Sequence, residues 1–264
     1  MGRLLRVNRG TIFGLCLGVL GIALGLYLEG GKVGQIMQPT AALIVFGGTM
    51  GAVLVQFPLK VVLEAARQLR NIFAGGNDPA PQLIEALRGY SFQSFRNGVT
   101  ALDAELESIN DSFLKKALML AVDGASVSEL RKQMELEMDI ESERDSEAPK
   151  VFEAAGGFSP TIGILGAVIG LIQVMQRLEN ISEVGQGIAV AFVATIYGVG
   201  LANLFLLPCA GRLRMMARRK QVLRELMLEG VVAIVERASP RLVEKRLTPY
   251  LVESVQSKGE KVAV

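Results

Sequence analysis

Thr195 carries a hydroxyl near the middle of a run, 187–208, that contains no charged side chain and closes on Pro208. Two kinds of chemistry are open to this residue. Its hydroxyl can bond back to the carbonyl four residues earlier in its own helix. Alternatively, the hydroxyl and the carbonyls that a proline leaves without a donor can offer polar partners to a passing ion or water. In the second interpretation Thr195 faces an ion path, and Pro208 ends the helix at its mouth.

Small side chains at helical spacing form one stripe in each of two successive apolar runs. The first stripe is Pro160, Gly163, Ala167 and Gly170, and the second is Ala191, Thr195, Gly198 and Ala202. Small faces let membrane helices approach closely. The stripes are therefore either packing seams within the chain or a wall on which the helix of a partner docks.

The apolar runs contain no ionisable acid or base, and the chain contains no histidine. Proton relays and ion sites in membranes normally use Asp, Glu or His that face the interior of a bundle. Either the chain transports nothing, or a partner chain supplies the carboxylate. The lack of histidine also removes histidine-based catalysis and most zinc sites. We find no catalytic constellation, no cofactor motif and no nucleic-acid motif, and we expect no enzyme activity.

Four windows without Asp, Glu, Lys or Arg indicate the helices that carry Thr195 and the two stripes of small residues. The windows are 10–28, 33–59, 154–176 and 184–211. A spanning helix needs roughly 20 apolar residues, and continuous apolar runs do not fit an alternating barrel strand. The sequence therefore predicts an all-α membrane protein with transmembrane helices at 10–28, 36–57, 156–176 and 186–208. The first run is too long for a signal peptide.

Lysine and arginine placement predicts the orientation of these helices. Three arginines precede the first span and five basic residues lie within 212–220, whereas the two short connections hold only Lys32 and Arg177. The positive-inside rule then places the tail 1–9, the insert 58–150 and the tail 209–264 in the cytoplasm. Membrane lipid head groups account for the arginines that follow the fourth span.

The insert 58–150 is predicted to be a helical domain. The runs "PQLIEALRGYSF" and "NGVTALDAELESI" are predicted as short helices around a glycine, and "SFLKKALMLAVDGA" as a helix that ends at Gly124. Ser126 and Glu129 have the spacing of a capping box and start the next helix. The charges of "MELEMDIESERDSE" alternate as in a strand, but Met, Leu and Glu favour a helix.

The runs "AAGGFSPTIGILGAVIGLI" and "GIAVAFVATIYGVGLANLFLLPCAGRL" closely resemble the A subunit of the bacterial flagellar stator, of the MotA/PomA type. The resemblance covers nearly the whole chain, including "AALIVFGGTMGAVLVQFP" and "VFEAAGG". Four spans, a large insert and a cytoplasmic tail also match this family. The broader MotA/TolQ/ExbB superfamily includes Tol- and Exb-type energisers, which typically have three spans and a different insert.

The resemblance implies a function in flagellar rotation at the inner membrane. Such A subunits form a ring, a pentamer, around the membrane helices of a B-subunit dimer. The B subunit carries the ion-binding aspartate and anchors to peptidoglycan, and ion passage drives the A ring against the rotor. By resemblance, Pro160 and Pro208 match the two prolines linked to this coupling. Thr195 matches the threonine beside the partner's aspartate, and Thr161 and Ala167 are expected to line the same passage.

The resemblance also implies a contact with the rotor switch protein through an arginine and a glutamate in the insert. Arg96 and Asp103 lie near the matching places, with the arginine displaced by one residue and Asp where Glu is usual. Glu105 is an alternative, and ordinary surface charges are the simpler interpretation. Sodium-type relatives tend to have threonine where this chain has Ala167. Because hard cations favour oxygen ligands, the alanine favours protons over sodium.

Two other functions stay open at this point. One is a Tol/Exb-like energiser of an envelope protein, and the other is a membrane scaffold without ion flux. A neighbouring gene for a B subunit, with an aspartate-bearing span and a peptidoglycan-binding domain, would favour the motor. Restored motility in a stator-less strain would exclude the scaffold.

Overall fold

A computed structural model describes residues 6–7, 9–31, 33–75, 78–176 and 181–251. The chain divides into two compact units, one formed by 1–76 with 145–215 and the other by 77–144 with 216–264. The described residues are almost entirely helical. The exception is an antiparallel pairing of two residues with two, in which Arg6–Val7 (β1) pairs with Ala74–Gly75 (β2). The predicted all-α fold is confirmed.

The helices follow one another along the chain in this order: α1 (Arg9–Leu28), α2 (Val33–Ile36), α3 (Pro39–Ala42), α4 (Gly48–Gln56), α5 (Leu59–Phe73), α6 (Ala80–Asn97), α7 (Ser112–Val122), α8 (Val127–Gln176), α9 (Ile181–Gly200), α10 (Leu207–Val235) and α11 (Pro240–Leu247). Wider π-helical turns, Leu43–Gly47 and Leu201–Leu206, join α3 to α4 and α9 to α10 without a break. A 3₁₀ helix, Val99–Ser108, follows α6.

Four helical stretches in the described residues are long and apolar enough to cross a membrane, which confirms the predicted number. They are Gly10–Leu28, Pro39–Gln56, and parts of Val127–Gln176 and Gly187–Val235. The second stretch starts later than the sequence predicts, because Met37 and Gln38 are not helical. Pro39 then occupies the first position of α3, where its missing N–H costs nothing.

The structure corrects the prediction that the helix ends at Pro208. The chain stays helical from Ile181 to Val235, with the π-helical turn Leu201–Leu206 just before the proline. A proline ring inside an α-helix clashes with the carbonyl four residues earlier and provides no N–H for it. We attribute the wider turn to this constraint, since π-helical turns relax the regular ladder of hydrogen bonds. Likewise, α8 runs unbroken through Pro149 and Pro160, from the end of the insert into the third span.

The membrane unit has two apolar clusters. One contains the predicted inner face of α5, with Ala65 and Ile72 buried and Val61 and Leu69 half-buried, and it packs against apolar residues from α8 and α10. The other joins the second span to α9 through Ala41, Val45, Val193 and Ala194. These clusters place the second, third and fourth spans side by side.

The second unit has its own core, built from α6, the 3₁₀ helix, α7, α11 and the parts of α8 and α10 that belong to it. The segment "NGVTALDAELESI" forms the 3₁₀ helix rather than the predicted α-helix, following Gly98 at φ 87°. The predicted capping box is present. The hydroxyl of Ser126 donates to a Glu129 carboxylate oxygen at 2.7 Å and accepts from the Glu129 N–H at 3.2 Å. The hydroxyl and the backbone N–H of Ser126 both donate to the Glu129 carboxylate, and these two bonds lower the pKa of Glu129.

Candidate functional site

The small stripes of α8 and α9 face each other and bring the two backbones into contact. A Cβ atom added at Gly198 would lie 2.6 Å from the carbonyl oxygen of Ser159 and 3.0 Å from Cα of Gly163. One added at Gly170 would lie 3.1 Å from the backbone nitrogen of Ala191. No side chain larger than hydrogen fits at these positions without a shift. The seam therefore joins the third and fourth spans into one closely packed pair.

A hydroxyl that the sequence analysis did not single out secures this seam. Ser159 is fully buried, and its Oγ donates to the carbonyl oxygen of Gly198 at 2.9 Å. Hydrogen bonds between helices compensate for the absence of water in a bilayer. Of the two alternatives that the sequence left open, these positions form a packing seam within the chain, because small faces permit backbone contact; its members are Gly163, Gly170, Ala191 and Gly198.

Thr195 lies at the edge of the seam and is half-buried. Its Oγ1 lies 3.4 Å from the carbonyl oxygen of Ala191, four residues earlier. This distance is longer than a usual O–H···O hydrogen bond of about 2.5–3.0 Å. The hydroxyl oxygen also keeps lone pairs that can accept a further bond. Thr195 thus combines both chemistries considered from the sequence: its hydroxyl makes a weak hydrogen bond to its own helix, and its oxygen can still accept another hydrogen bond.

The other predicted residues of α8 lie outside the centre of the seam. Thr161 is exposed, and its Oγ1 donates to the carbonyl oxygen of Phe158 at 2.8 Å. Pro160 and Ala167 are half-buried. Beside them runs a large apolar face that is exposed in the single chain; on α8 it comprises Ile164, Leu165, Val168, Leu171, Ile172 and Met175, and on α9 it comprises Ile188, Phe192, Ile196 and Val199. Thr161 and Thr195 are therefore hydroxyl groups on or next to open apolar faces.

Pro208 lies in a different environment from the other four predicted pathway residues, which are Pro160, Thr161, Ala167 and Thr195. It is exposed and lines a cavity of about 350 Å³ together with residues of α1, α5 and the π-helical turn Leu201–Leu206. None of the other predicted pathway residues lines that cavity. The five residues are thus distributed over α8, α9 and α10, and the structure does not gather them around a single point.

A tyrosine ties the start of the second span to α9. The Tyr197 hydroxyl donates to the carbonyl oxygen of Ile36 at 2.6 Å and accepts from the N–H of Gln38 at 3.3 Å. One backbone group belongs to the last residue of α2 and the other to Gln38, one of the two non-helical residues between α2 and α3. Because unpaired backbone groups are costly at membrane depth, this side chain makes the interruption possible. Its position two residues after Thr195 was visible in the sequence, but its partners were not.

The charged residues predicted to meet a partner lie at the junction of α6 and the 3₁₀ helix. Arg96 is exposed in the last turn of α6, with its guanidinium carbon 5.5 Å above the ring of Phe92. Asp103 is exposed on the 3₁₀ helix, whereas Glu105 is half-buried and accepts a hydrogen bond from Gln93 at 3.2 Å. Burial and Glu105 together raise the pKa of Tyr90. Asp103 is therefore more accessible to a partner than Glu105.

Comparison with known proteins decides the family. Residues 12–91 match the Motility protein A N-terminal family, and residues 105–226 match the MotA/TolQ/ExbB proton channel family. Motility protein A of Bacillus subtilis (strain 168) is 32% identical over 93% of this chain and 91% of the relative. The chain belongs to the Motility protein A family. Chemotaxis protein PomA of Vibrio alginolyticus is 29% identical over 94% of this chain and 96% of its own.

Solved structures support the same family assignment. The C. jejuni MotAB structure matches with a TM-score of 0.86 and 30% identity, over 92% of this chain and 95% of that one. The flagellar MotAB stator complex from Bacillus subtilis matches with a TM-score of 0.85 and 33% identity, over 94% and 97%. This member of the Motility protein A family is therefore a flagellar stator A subunit and a multi-pass protein of the inner membrane. Its family is one of channel and motility proteins rather than of known enzymes.

Two features of the structure were not predicted from the sequence, and only the first of them had a signal there. Phe92 and Phe95 are more than half exposed on α6, beside Arg96. Their spacing places them away from the buried positions of the helix, Ile84, Leu87, Ser91 and Ser94, and that offset was the available signal. The Ser159 hydrogen bond had none, because a serine in an apolar helix bonds as readily to its own backbone.

Proposed function

We propose that this chain assembles with a B-subunit dimer into a proton channel that converts ion flow into torque on the flagellar rotor. The observation that carries the proposal is the structure of the α8–α9 pair. It is closely packed inside, apolar outside, and holds Thr161 and Thr195 on or next to its open faces, and the apolar runs contain no Asp, Glu, Lys, Arg or His. Such a pair is suited to enclose a carboxylate that another chain supplies.

Energetic estimates support an arrangement in which this chain encloses a carboxylate that a partner chain supplies. A bare carboxylate at the centre of a bilayer costs at least about 2.5–3.5 kcal/mol on insertion scales. When the carboxylate binds an ion this penalty is removed, so its preferred contacts change with each ion. One charge that crosses about 100 mV releases roughly 2.3 kcal/mol. The lone pairs of the Thr195 hydroxyl can accept a bond from a protonated carboxyl or from a water beside it.

The proposed assembly is a ring of A subunits, a pentamer, around the B-subunit dimer. The Bacillus subtilis relative of 33% identity is a MotAB stator complex, which supports a B-type partner. The exposed apolar residues of α8 and α9 supply surfaces for neighbouring helices or lipid. Both termini and the insert are cytoplasmic by the placement of Lys and Arg. The match of residues 12–91 to the motility N-terminal family favours the motor over a Tol/Exb-like energiser.

Thr195→Val tests the role of the hydroxyl. The substitution keeps the side-chain shape and removes the acceptor, so we expect it to reduce swimming in a strain that depends on this chain while membrane insertion stays intact. Thr195→Ser keeps the hydroxyl and is expected to restore most of the loss. Motility assays with membrane fractionation make the comparison. Normal swimming of the Thr195→Val strain would remove Thr195 from the ion path.

The identity of the ion and the origin of the carboxylate are tested together. Because no apolar run carries Asp, Glu, Lys, Arg or His, vesicles that contain the chain alone are expected to conduct neither protons nor sodium. Because Ala167 offers no oxygen ligand, swimming is expected to persist when external sodium is replaced by potassium. Conduction by the isolated chain would refute the borrowed carboxylate, and swimming that requires sodium would refute the assignment to protons.

A further inference from the structure

The cavity that Pro208 lines is apolar and lies at one end of the membrane unit. Its walls come from the first two turns of α1, the last two residues of α5, and the segment from Asn203 to Cys209. Its volume is about 350 Å³, and the lining residues include no carboxylate. The pairing of β1 with β2 brings the start of α1 beside the end of α5. Because Gly10 and Thr11 belong to the first turn of α1, this end of the cavity lies where the span begins.

Arg212 follows Pro208 by one helical turn and therefore lies on the same face of α10. It is half-buried, and its Nε is buried with no hydrogen-bond partner among the residues that the structure describes. In contrast, Arg214 pairs with Glu153 in the same unit. A buried guanidinium N–H without an acceptor is unfavourable, and an anion beside Arg212 would remove this cost. Arg70, one turn before the cavity residue Phe73, adds a second exposed positive charge.

We propose that this cavity binds an acyl chain of an anionic phospholipid, whose phosphate bonds to Arg212. Basic pockets between membrane helices recognise anionic head groups, and the apolar walls favour burial of methylene groups. The occupant is a lipid rather than a soluble phosphate because the cavity itself is apolar. It is a lipid rather than a helix of a second copy because Arg212, one helical turn beyond the cavity residue Pro208, favours an anionic head group. This site does not depend on the proposed ion path, and its test does not use motility.

A tryptophan reporter can observe the occupant directly, because the chain contains no tryptophan. Phe205 lines the cavity, so Phe205→Trp places the reporter in its wall. The full chain is reconstituted in phosphatidylcholine vesicles that contain increasing fractions of phosphatidylglycerol or phosphatidylcholine with brominated acyl chains. We expect brominated phosphatidylglycerol to quench the reporter at a severalfold lower fraction than brominated phosphatidylcholine. Phe13→Trp, on an exposed position of α1, is expected to show no preference.

Two pairs of variants on the Phe205→Trp background separate the cavity from its charged mouth. A Cβ added at Gly14, in the cavity wall, or at Gly21, outside it, meets nothing within 4 Å. Gly14→Leu is expected to abolish the preference by filling the cavity, whereas Gly21→Leu leaves it unchanged. Arg212→Gln is expected to reduce the preference about fivefold, the equivalent of about 1 kcal/mol per basic residue. Arg214→Gln, which removes a paired and exposed arginine, leaves it unchanged.

Equal quenching by the two brominated lipids at Phe205→Trp would overturn the proposal. So would a preference that survives both Gly14→Leu and Arg212→Gln. Protection of the reporter from both lipids would mean that protein covers the cavity, as in packing against a second copy, and would also overturn it. Inorganic phosphate added at high concentration is expected not to relieve the quenching, because the buried acyl chain retains the lipid; relief would show that free phosphate binds Arg212 in preference to the lipid and would overturn the proposal.

Discussion

Gly198 has a single hydrogen atom where two backbones touch, and its carbonyl accepts the Ser159 hydroxyl. At the scale of single residues, the seam depends on the lack of a side chain at Gly198 and not on any reactive group. Thr195 differs, since it stands three residues away at the edge of the seam with its hydroxyl only weakly engaged. Two residues of the same helix stripe therefore have different roles: the glycine sets the distance between the helices, and the threonine offers a hydrogen-bond acceptor.

A methyl group at Gly198 tests the contact. Its Cβ would lie 2.6 Å from a backbone oxygen, so Gly198→Ala is expected to destabilise the protein by about 1–3 kcal/mol, the usual cost of overpacking. Gly200→Ala is the matched control, because a Cβ there meets nothing within 4 Å. Unfolding of the two purified variants in detergent measures the difference. Equal stability of the two would show that the seam can separate without cost.

At the scale of elements, the membrane unit contains interruptions that its backbone must accommodate. The second span is interrupted at Met37 and Gln38, and α9 widens into a π-helical turn before Pro208. In a bilayer each freed backbone group needs a partner from the protein. Tyr197 provides one for the first interruption. The second opens onto the cavity for which we propose a lipid.

Removing the Tyr197 hydroxyl is expected to loosen the start of the second span. Tyr197→Phe leaves the Ile36 carbonyl and the Gln38 N–H without this partner, at an expected cost of about 1–2 kcal/mol. Hydrogen exchange at Gln38 and the thermal midpoint are the measurements. Tyr27→Phe, at an exposed position of α1, serves as the control. Unchanged exchange at Gln38 would show that the bond to Tyr197 does not hold this segment.

At the scale of the whole molecule, each compact unit presents a different type of surface. The membrane unit exposes apolar side chains and hydroxyls, while the other unit exposes Arg96 and Asp103 beside two phenylalanines. We propose that the latter group meets the rotor. The exposed aromatic rings add apolar contact to a charge pair that alone contributes only about 0.2–1 kcal/mol.

Neutralising one arginine tests this surface without disturbing the fold. Arg96→Gln is expected to reduce rotor torque without abolishing it, because a single exposed charge contributes little. Arg88→Gln is the matched control, since Arg88 lies on the same helix, α6, and forms ion pairs within its own unit with Glu85 and Glu244. Torque of tethered cells reports the result. Identical torque for the two variants would assign Arg96 to ordinary surface charge.

Local sequence patterns were sufficient to predict much of the structure of the insert. The capping box at Ser126 and Glu129 was predicted because both partners lie within one turn, and the α5 core face was predicted because helical spacing alone defines it. The 3₁₀ helix was missed, since its residues have ordinary helical propensities and only the glycine before it, Gly98 at φ 87°, hints at a change.

The sequence by itself determined the four apolar spans, the all-α class and the lack of an ionisable group within the membrane, because these properties follow from composition and spacing along the chain. Tertiary structure alone decided which small residues face one another, that Ser159 bonds to Gly198, and that Pro208 lies inside a continuous helix beside a cavity. These outcomes depend on which helix is the neighbour and at what height it packs. In lipid every apolar face is equally soluble, so only contact between particular backbones distinguishes a seam from an open face.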